Sequence, residues 1–242
     1  MQSTPFAFAL LLCASFVQAQ DTRPEFDVAS IRPADLKQRP GVSFTSNGFS
    51  ANGISARLLI EMAYQLQPFR LAGAPGWIDS ELYTIQASWL NEANGPRVRE
   101  MLQRLLEDRF SLKMRRDSKE ENIYALLVRD KSKLQPTKTP GRSMNRSTAS
   151  RENGNVRTEF LAVPVERLVD TLSRELNRMV VDETGLIGEY DFVLQTEREV
   201  DEKNMFVTPL APSVGQIGLK LESRKGTVEF YTIESIQHPS EN

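Results

Sequence analysis

The sequence predicts an α+β protein made of two related βαββ-type halves, with antiparallel or mixed sheets and helices packed on one face. Three observations carry that prediction. Apolar residues recur at helical spacing in three stretches, as in Val98, Met101, Leu102, Leu105 and Leu106. Elsewhere they alternate with polar ones, as Phe110, Leu112 and Met114 do with Ser111, Lys113 and Arg115, the period of a strand with one dry face. The pattern then returns about 107 to 109 residues later, an internal duplication in which Ile54 matches Val163 and Tyr83 matches Tyr190.

Taken in order, residues 1–19 read as a secretory signal: an apolar run from Phe6 to Val17 ends in the small-residue cleavage site Val17-Gln18-Ala19. The run falls short of the roughly 20 residues that span a bilayer, and no Lys or Arg precedes it. Two competing readings are a lipoprotein acylated at Cys13, against which Leu12 stands, and a buried N-terminal strand or helix. Cleavage after Ala19 leaves a secreted or periplasmic chain with no stable membrane span and no cysteine to brace its core.

Residues 20–131 form the first repeat. Phe26 to Ile31 is a strand, expected beside the final hairpin. Leu59, Met62, Ala63 and Leu66 share a helical face, Pro75-Gly76 is a turn, and Tyr83-Thr84-Ile85 is a strand. Pro96 sits in the first turn of a long helix, where its missing N–H costs nothing. Lys119 to Asn122 reads as a hairpin turn. Residues 132–155, polar and nearly free of large apolar side chains, read as a flexible basic linker.

Residues 156–242 form the second repeat. Val165, Leu168, Val169, Leu172 and Leu176 share a helical face, and Lys225-Gly226 is the turn of the last hairpin. The later helix of this repeat is expected to be short or lost, because Pro209 and Pro212 fall inside it and an internal proline costs about 3 kcal/mol.

Composition narrows the chemistry. With 30 Lys+Arg against 32 Asp+Glu the chain has no global pull toward nucleic acid, and the basic stretch Arg129 to Arg151 lacks aromatic residues to stack on bases. One His and one Cys are too few for the usual zinc sites. No nucleophile elbow, metallopeptidase helix, phosphate loop or dinucleotide glycine pattern occurs, so no catalytic residue, metal or cofactor is assigned. His238, close to the end of the chain and just before Pro239, reads as an exposed terminal side chain.

The two equivalent turns hold the candidate contact residues: Trp77, Asp79 and Tyr83 in the first half, and Asp182, Thr184 and Tyr190 in the second. Trp77 suits either an exposed contact or a plug between helix and sheet. Asp182-Glu183-Thr184-Gly185 is loosely like an aspartic protease loop, but Glu183 intrudes and Gly73-Ala74-Pro75-Gly76 supplies no second acid. Asp182 is expected to accept N–H bonds within its own turn. The acids of the two turns, including Asp79, Glu81, Asp182 and Glu189, serve a hydrolase only if two of them lie about 5 to 9.5 Å apart.

Phe26-Asp27-Val28-Ala29-Ser30-Ile31-Arg32-Pro33, Gly73-Ala74-Pro75-Gly76-Trp77-Ile78-Asp79-Ser80, the segment from Val180 to Phe192, Gly218-Leu219-Lys220-Leu221-Glu222 and the final Pro239-Ser240-Glu241-Asn242 resemble a soil-associated bacterial family of exported proteins of unknown function. The resemblance covers essentially all of the chain after the signal. It implies export, many paralogues per genome, and relatives in which the domain follows a membrane metallopeptidase of the antibiotic-sensor type. It implies no activity and supplies no catalytic residue. The shortened later helix of the second half departs from the pattern expected of that family. The repeated helix-then-strands unit is also similar to the small N-terminal domains of secretins and TonB-dependent receptors, a likeness of pattern alone.

These readings converge on an exported, non-catalytic binding or interaction module for an unknown envelope protein or peptide, with strand addition at a sheet edge as the mode of capture. The alternatives are an extracytoplasmic hydrolase using paired turn carboxylates and a sensory domain partnering a membrane metallopeptidase.

Overall fold

The helices form where the apolar stripes fall. The computed structural model describes residues 23–35, 37–90, 93–149, 156–196, 199–200, 206–207 and 210–240; the expected signal at 1–19 and residues 150–155 of the expected linker lie outside the described residues. α1 (Ala56–Tyr64) starts at Ser55, whose hydroxyl accepts from the Leu58 N–H at 3.2 Å. α2 (Trp77–Ser80) is a single turn. α3 (Gly95–Phe110) is capped by Asn94, carries Pro96 in its first turn, and buries Val98, Met101, Leu102, Leu105, Leu106 and Phe110. Each of the larger side chains contributes about 1.5–3 kcal/mol by leaving water. α4 (Val165–Glu175) buries Val165, Leu168 and Leu172. The place of α3 is taken in the second half by a 3-10 segment, Ala211–Ile217, with Pro212 in its first turn.

The strands of the first half are β1 (Val28–Pro33), β2 (Gly41–Thr45), β3 (Gly48–Ser55), β4 (Leu71–Ala72), β5 (Leu82–Ser88) and β6 (Lys113–Val128). Those that follow are β7 (Met144–Ala149), β8 (Val156–Pro164), β9 (Val180–Asp182), β10 (Glu189–Thr196), the short pair β11 (Glu199–Val200) and β12 (Phe206–Val207), and β13 (Leu219–Ser235). One antiparallel sheet has the order β1-β5-β3-β2, another β10-β8-β7, and a mixed sheet β4-β13-β6-β9 joins the halves. This is a mixed α+β fold, as the residue pattern predicts.

Three expectations are corrected. The two hairpins are instead two long strands: β6 and β13 run unbroken and pair antiparallel from Leu219↔Val128 to Ile233↔Met114, with Lys225 opposite Asn122. Ser118 to Asn122 and Glu222 to Lys225 are exposed because they cross the gap between two cores, so their polarity imitates a turn. Gly226 serves close approach, since a Cβ there would lie 2.3 Å from Ile123 Cδ1. The N-terminal strand is not beside this pair; β1 lies antiparallel to β5, with Ile31 opposite Ile85 on the dry side. Finally, the segment read as a flexible linker carries structure. β7 pairs with β8, Pro136 bridges Tyr190, and Glu189 accepts from the Thr137 and Gly141 N–H groups. β7 is an edge strand, which carries polar residues without losing its ladder.

The long strands also mix the halves. Met114 of β6 joins Tyr231 and Ile233 of β13 at the first core, around Phe49, Leu59, Ile85 and Leu106. Tyr124 and Leu126 of β6 join Leu219 and Leu221 of β13 at the second core, around Phe160, Leu168 and Phe192. Each sequence half therefore completes the core of the other.

Pairings in the two halves match in kind and register. Ala51↔Ile85 and Ile54↔Tyr83 flank a bulge, and so do Phe160↔Phe192 and Val163↔Tyr190. The bulged strands turn through left-handed residues at equivalent places, Gly53 (φ 68) and Ala162 (φ 50). The Asp191 carboxylate accepts from the Ala162 N–H at 2.9 Å and holds that strained position. β4 runs parallel to β13 with Leu71 opposite Tyr231, while β9 runs parallel to β6 with Val180 opposite Tyr124.

Candidate functional site

In the first half the turn between β4 and β5 is interlocked with the end of the chain. Trp77, half-buried against the first core, stacks on the His238 ring at 4.2 Å and 22°. His238 Nε2 lies 3.0 Å from Glu81 Oε1, and the Tyr83 hydroxyl donates to Glu81 Oε2 at 2.9 Å. Hydrogen bonds from His238 and then Tyr83 favour the charged carboxylate and lower the Glu81 pKa. Burial, reinforced by the bond to Glu81, raises that of Tyr83. Asp79, on the same helical turn as Trp77, is taken by Arg57, whose guanidinium forks onto both carboxylate oxygens.

His238 is thus not a loose terminal residue. Although its side chain is 60% exposed, the tail is anchored on the end of α3: Gln237 N–H donates to the Phe110 carbonyl at 2.7 Å and Ser240 N–H to the Arg109 carbonyl at 3.1 Å. The guanidinium of Arg109 closes the clamp on the Ser240 carbonyl at 2.8 Å. Tail backbone pairs with helix-end carbonyls that would otherwise face water.

The second turn closes on itself. Asp182 Oδ1 accepts from Thr184 N–H and Oγ1–H at 2.8 and 2.7 Å, and Thr184 Oγ1 accepts from the Leu186 N–H at 3.1 Å. Tyr190 is buried and stacks near-parallel to Phe192. The sheet sends the two turns to opposite edges. β4 and β9 are separated by β13 and β6, about 14 Å of strand spacing. Their pairing points fall at Arg116 and Tyr124 along β6, about 27 Å apart at strand rise. Trp77, Asp79 and Tyr83 are brought together; Asp182, Thr184 and Tyr190 are far from them. No carboxylate pair forms between these turns.

Two other features stand out from the surface. β2 is an edge strand, exposed at all its residues. Val42 and Phe44 lie opposite Ala51 and Phe49, both fully buried, so they prolong the dry face of the sheet into solvent. Between β2, α1 and α3 lies a half-open groove of about 400 Å³, lined by Phe44, Met62, Trp89, Val98, Arg99 and Leu102 among others. A second concavity, about 390 Å³, lies where α1 faces α4, with Glu61, Asp170 and Arg174 on its walls. Glu61 Oε1 is buried without a hydrogen-bond partner there, and burial raises the pKa of its carboxyl.

A family profile described as a protein of unknown function, DUF3738, matches residues 57–236. The chain belongs to that family. The match runs from the first turn of α1 to just past β13 and takes in both long strands and the second core, whereas β1, β2 and β3, which bring Ile31, Phe49, Ala51 and Ile54 to the first core, precede it. No curated protein and no solved structure matches the chain. Among the described residues of this DUF3738 protein, no helix is long and apolar enough to cross a membrane.

Sequence reasoning did not single out Phe44, Arg99 or Glu61 as site residues, and it left Trp89, like Trp77, between an exposed contact and a core plug; Trp89 is buried. Phe44 had a visible signal, since Val42-Ser43-Phe44 alternates with no charge or proline to blunt an edge. Arg99 and Glu61 had none, because their roles depend on which elements pack over them.

Proposed function

We propose that this chain is an exported, non-catalytic interaction module that captures an extended segment of an envelope protein as an added strand on β2. The observation that carries this reading is the edge of β2, unpaired among the described residues, where Val42 and Phe44 extend a buried apolar row beyond the last covered strand. Natural edge strands are usually blunted by charge, proline or a covering element. β2 contains no charged residue and no proline. A segment with alternating apolar side chains would complete both the backbone ladder and that row.

The test is capture from envelope extract followed by hydrogen exchange on the complex. Protection of the β2 amides by the partner, with capture lost in Val42→Lys, is the expected result. A bound partner that leaves those amides exchanging as in the free chain, or recovery of only a turned-over small molecule, refutes it.

We also propose that the halves descend from the doubling of one unit, a reading supported by the matched registers and bulges of β3–β5 and β8–β10. A relative built from one such unit, pairing its long strand with that of a second copy, is the expected find. A relative whose halves differ in topology counts against it.

A further inference from the structure

We propose that the groove between β2, α1 and α3 binds a small anionic amphiphile: a single-chain carboxylate whose tail lies along Phe44, Met62, Val98 and Leu102 and whose head group meets Arg99. The site goes beyond strand capture and needs no protein partner. Its volume of about 400 Å³ lies in the range of small-molecule sites, and its walls are mainly apolar. If each carbon takes about the ~30 Å³ of a water, the groove has room for an acid of roughly twelve carbons.

Charge decides the class of head group. Among the described lining residues Arg99 alone is charged, and no acid joins it. Arg99 forms no ion pair among the described residues. Its Nη1 lies 3.4 Å from where a side chain on Gly95 would begin, so the guanidinium is folded over the start of α3. That N-terminal turn of a 16-residue helix adds positive potential at the same spot.

An independent observation points to an acceptor. Trp89 lines the groove, is 3% exposed, and keeps its indole N–H sealed from solvent without a hydrogen-bond partner. A buried unpaired donor is unfavourable, and an entering carboxylate oxygen relieves it. Phe44, 53% exposed on an edge strand, is the outer wall, its ring set 5.1 Å from that of the buried Phe49.

Titration calorimetry of the full chain with dodecanoate and dodecanol, each kept below its aggregation concentration, tests the site. Saturable one-to-one binding of dodecanoate is expected, with dodecanol about tenfold weaker. Arg99→Gln is expected to bring dodecanoate down about tenfold and leave dodecanol unchanged, and Trp89→Phe to weaken dodecanoate about fivefold. A measurement on the unaltered chain stands beside the variants: dodecanoate is expected to shift the indole N–H resonance of Trp89 and not that of Trp77. Absence of saturable binding, equal affinity for acid and alcohol, or an unmoved Trp89 resonance overturns the proposal.

Discussion

The turn after β4 and the turn after β9 occupy matching places on the central sheet, yet they have become different objects. The first is covered: Trp77 stacks on His238, Glu81 is hydrogen-bonded to both His238 and Tyr83, and the tail that carries His238 is clamped to α3. The second receives no chain terminus: Asp182 and Thr184 satisfy each other, Glu183 pairs with Arg224 of β13, and Ile187 is left 92% exposed. α3 makes the same contrast. In the first half it is a full helix and walls a groove; in the second a 3-10 segment stands in its place. The shared frame sets strand register, and what is laid over the frame determines whether a concavity exists.

The strongest way to break this comparison is to ask whether the halves stand separately. Both tryptophans belong to the first core, so their fluorescence reports that half, whereas Leu168 is fully buried in the second. Leu168→Ala is expected to lower the tryptophan-monitored stability by about 2–5 kcal/mol, because β6 and β13 run through both cores. An unmoved tryptophan transition beside a biphasic circular dichroism curve would show independent halves.

A smaller effect is expected at the crossing of the long strands. Gly226→Val places atoms against Ile123 and is expected to cost about 1–3 kcal/mol. Lys119→Val, at an exposed position of β6 opposite Val228, is expected to stay within about 0.5 kcal/mol. Equal midpoints in urea for the two variants would remove Gly226 from the packing account.

Trp77 and Leu186 compare the turns directly. Trp77→Ala is expected to cost about 1–2 kcal/mol, since a half-buried ring and its stack on His238 are lost, and Leu186→Ala less than about 1 kcal/mol. A larger loss at Leu186 in denaturant unfolding would reverse the contrast.

The smallest effect is one of pH. The pKa of Glu81 is lowered in the fold, so its contribution is present above its ordinary value of 4.5 and is lost as pH falls through the lowered one. Acid titration is therefore expected to loosen the His238 tail below pH 4.5, read as digestion by carboxypeptidase after brief acid exposure and cross-linking. Glu81→Gln is expected to flatten that dependence, and an equally steep response in that variant would assign it to another group.

Much of this architecture is legible in the residues. The stripe of α3 from Val98 to Leu106, the Pro96 start and the interrupted helix around Pro212 follow from spacing within a few residues. The Asp182–Thr184 turn is equally local. The unbroken course of β6 was not legible, because Ser118 to Asn122 is wet on both faces and a wet, turn-like composition is what a hairpin also shows. His238 was misplaced for a related reason: its partners Glu81 and Trp77 lie more than a hundred residues upstream.

By itself the sequence determined the fold class, most of the element types and the scarcity of His and Cys, since periodicity, caps and residue inventory are read from the chain itself or from neighbours a few positions apart. Only the tertiary structure decided that each half lends its last strand to the core of the other, that the two acidic turns leave opposite edges of the central sheet, and that a groove opens beside β2. Those outcomes depend on contacts between residues tens of positions apart or more, where what is chosen is the partner and its register, and local periodicity encodes neither.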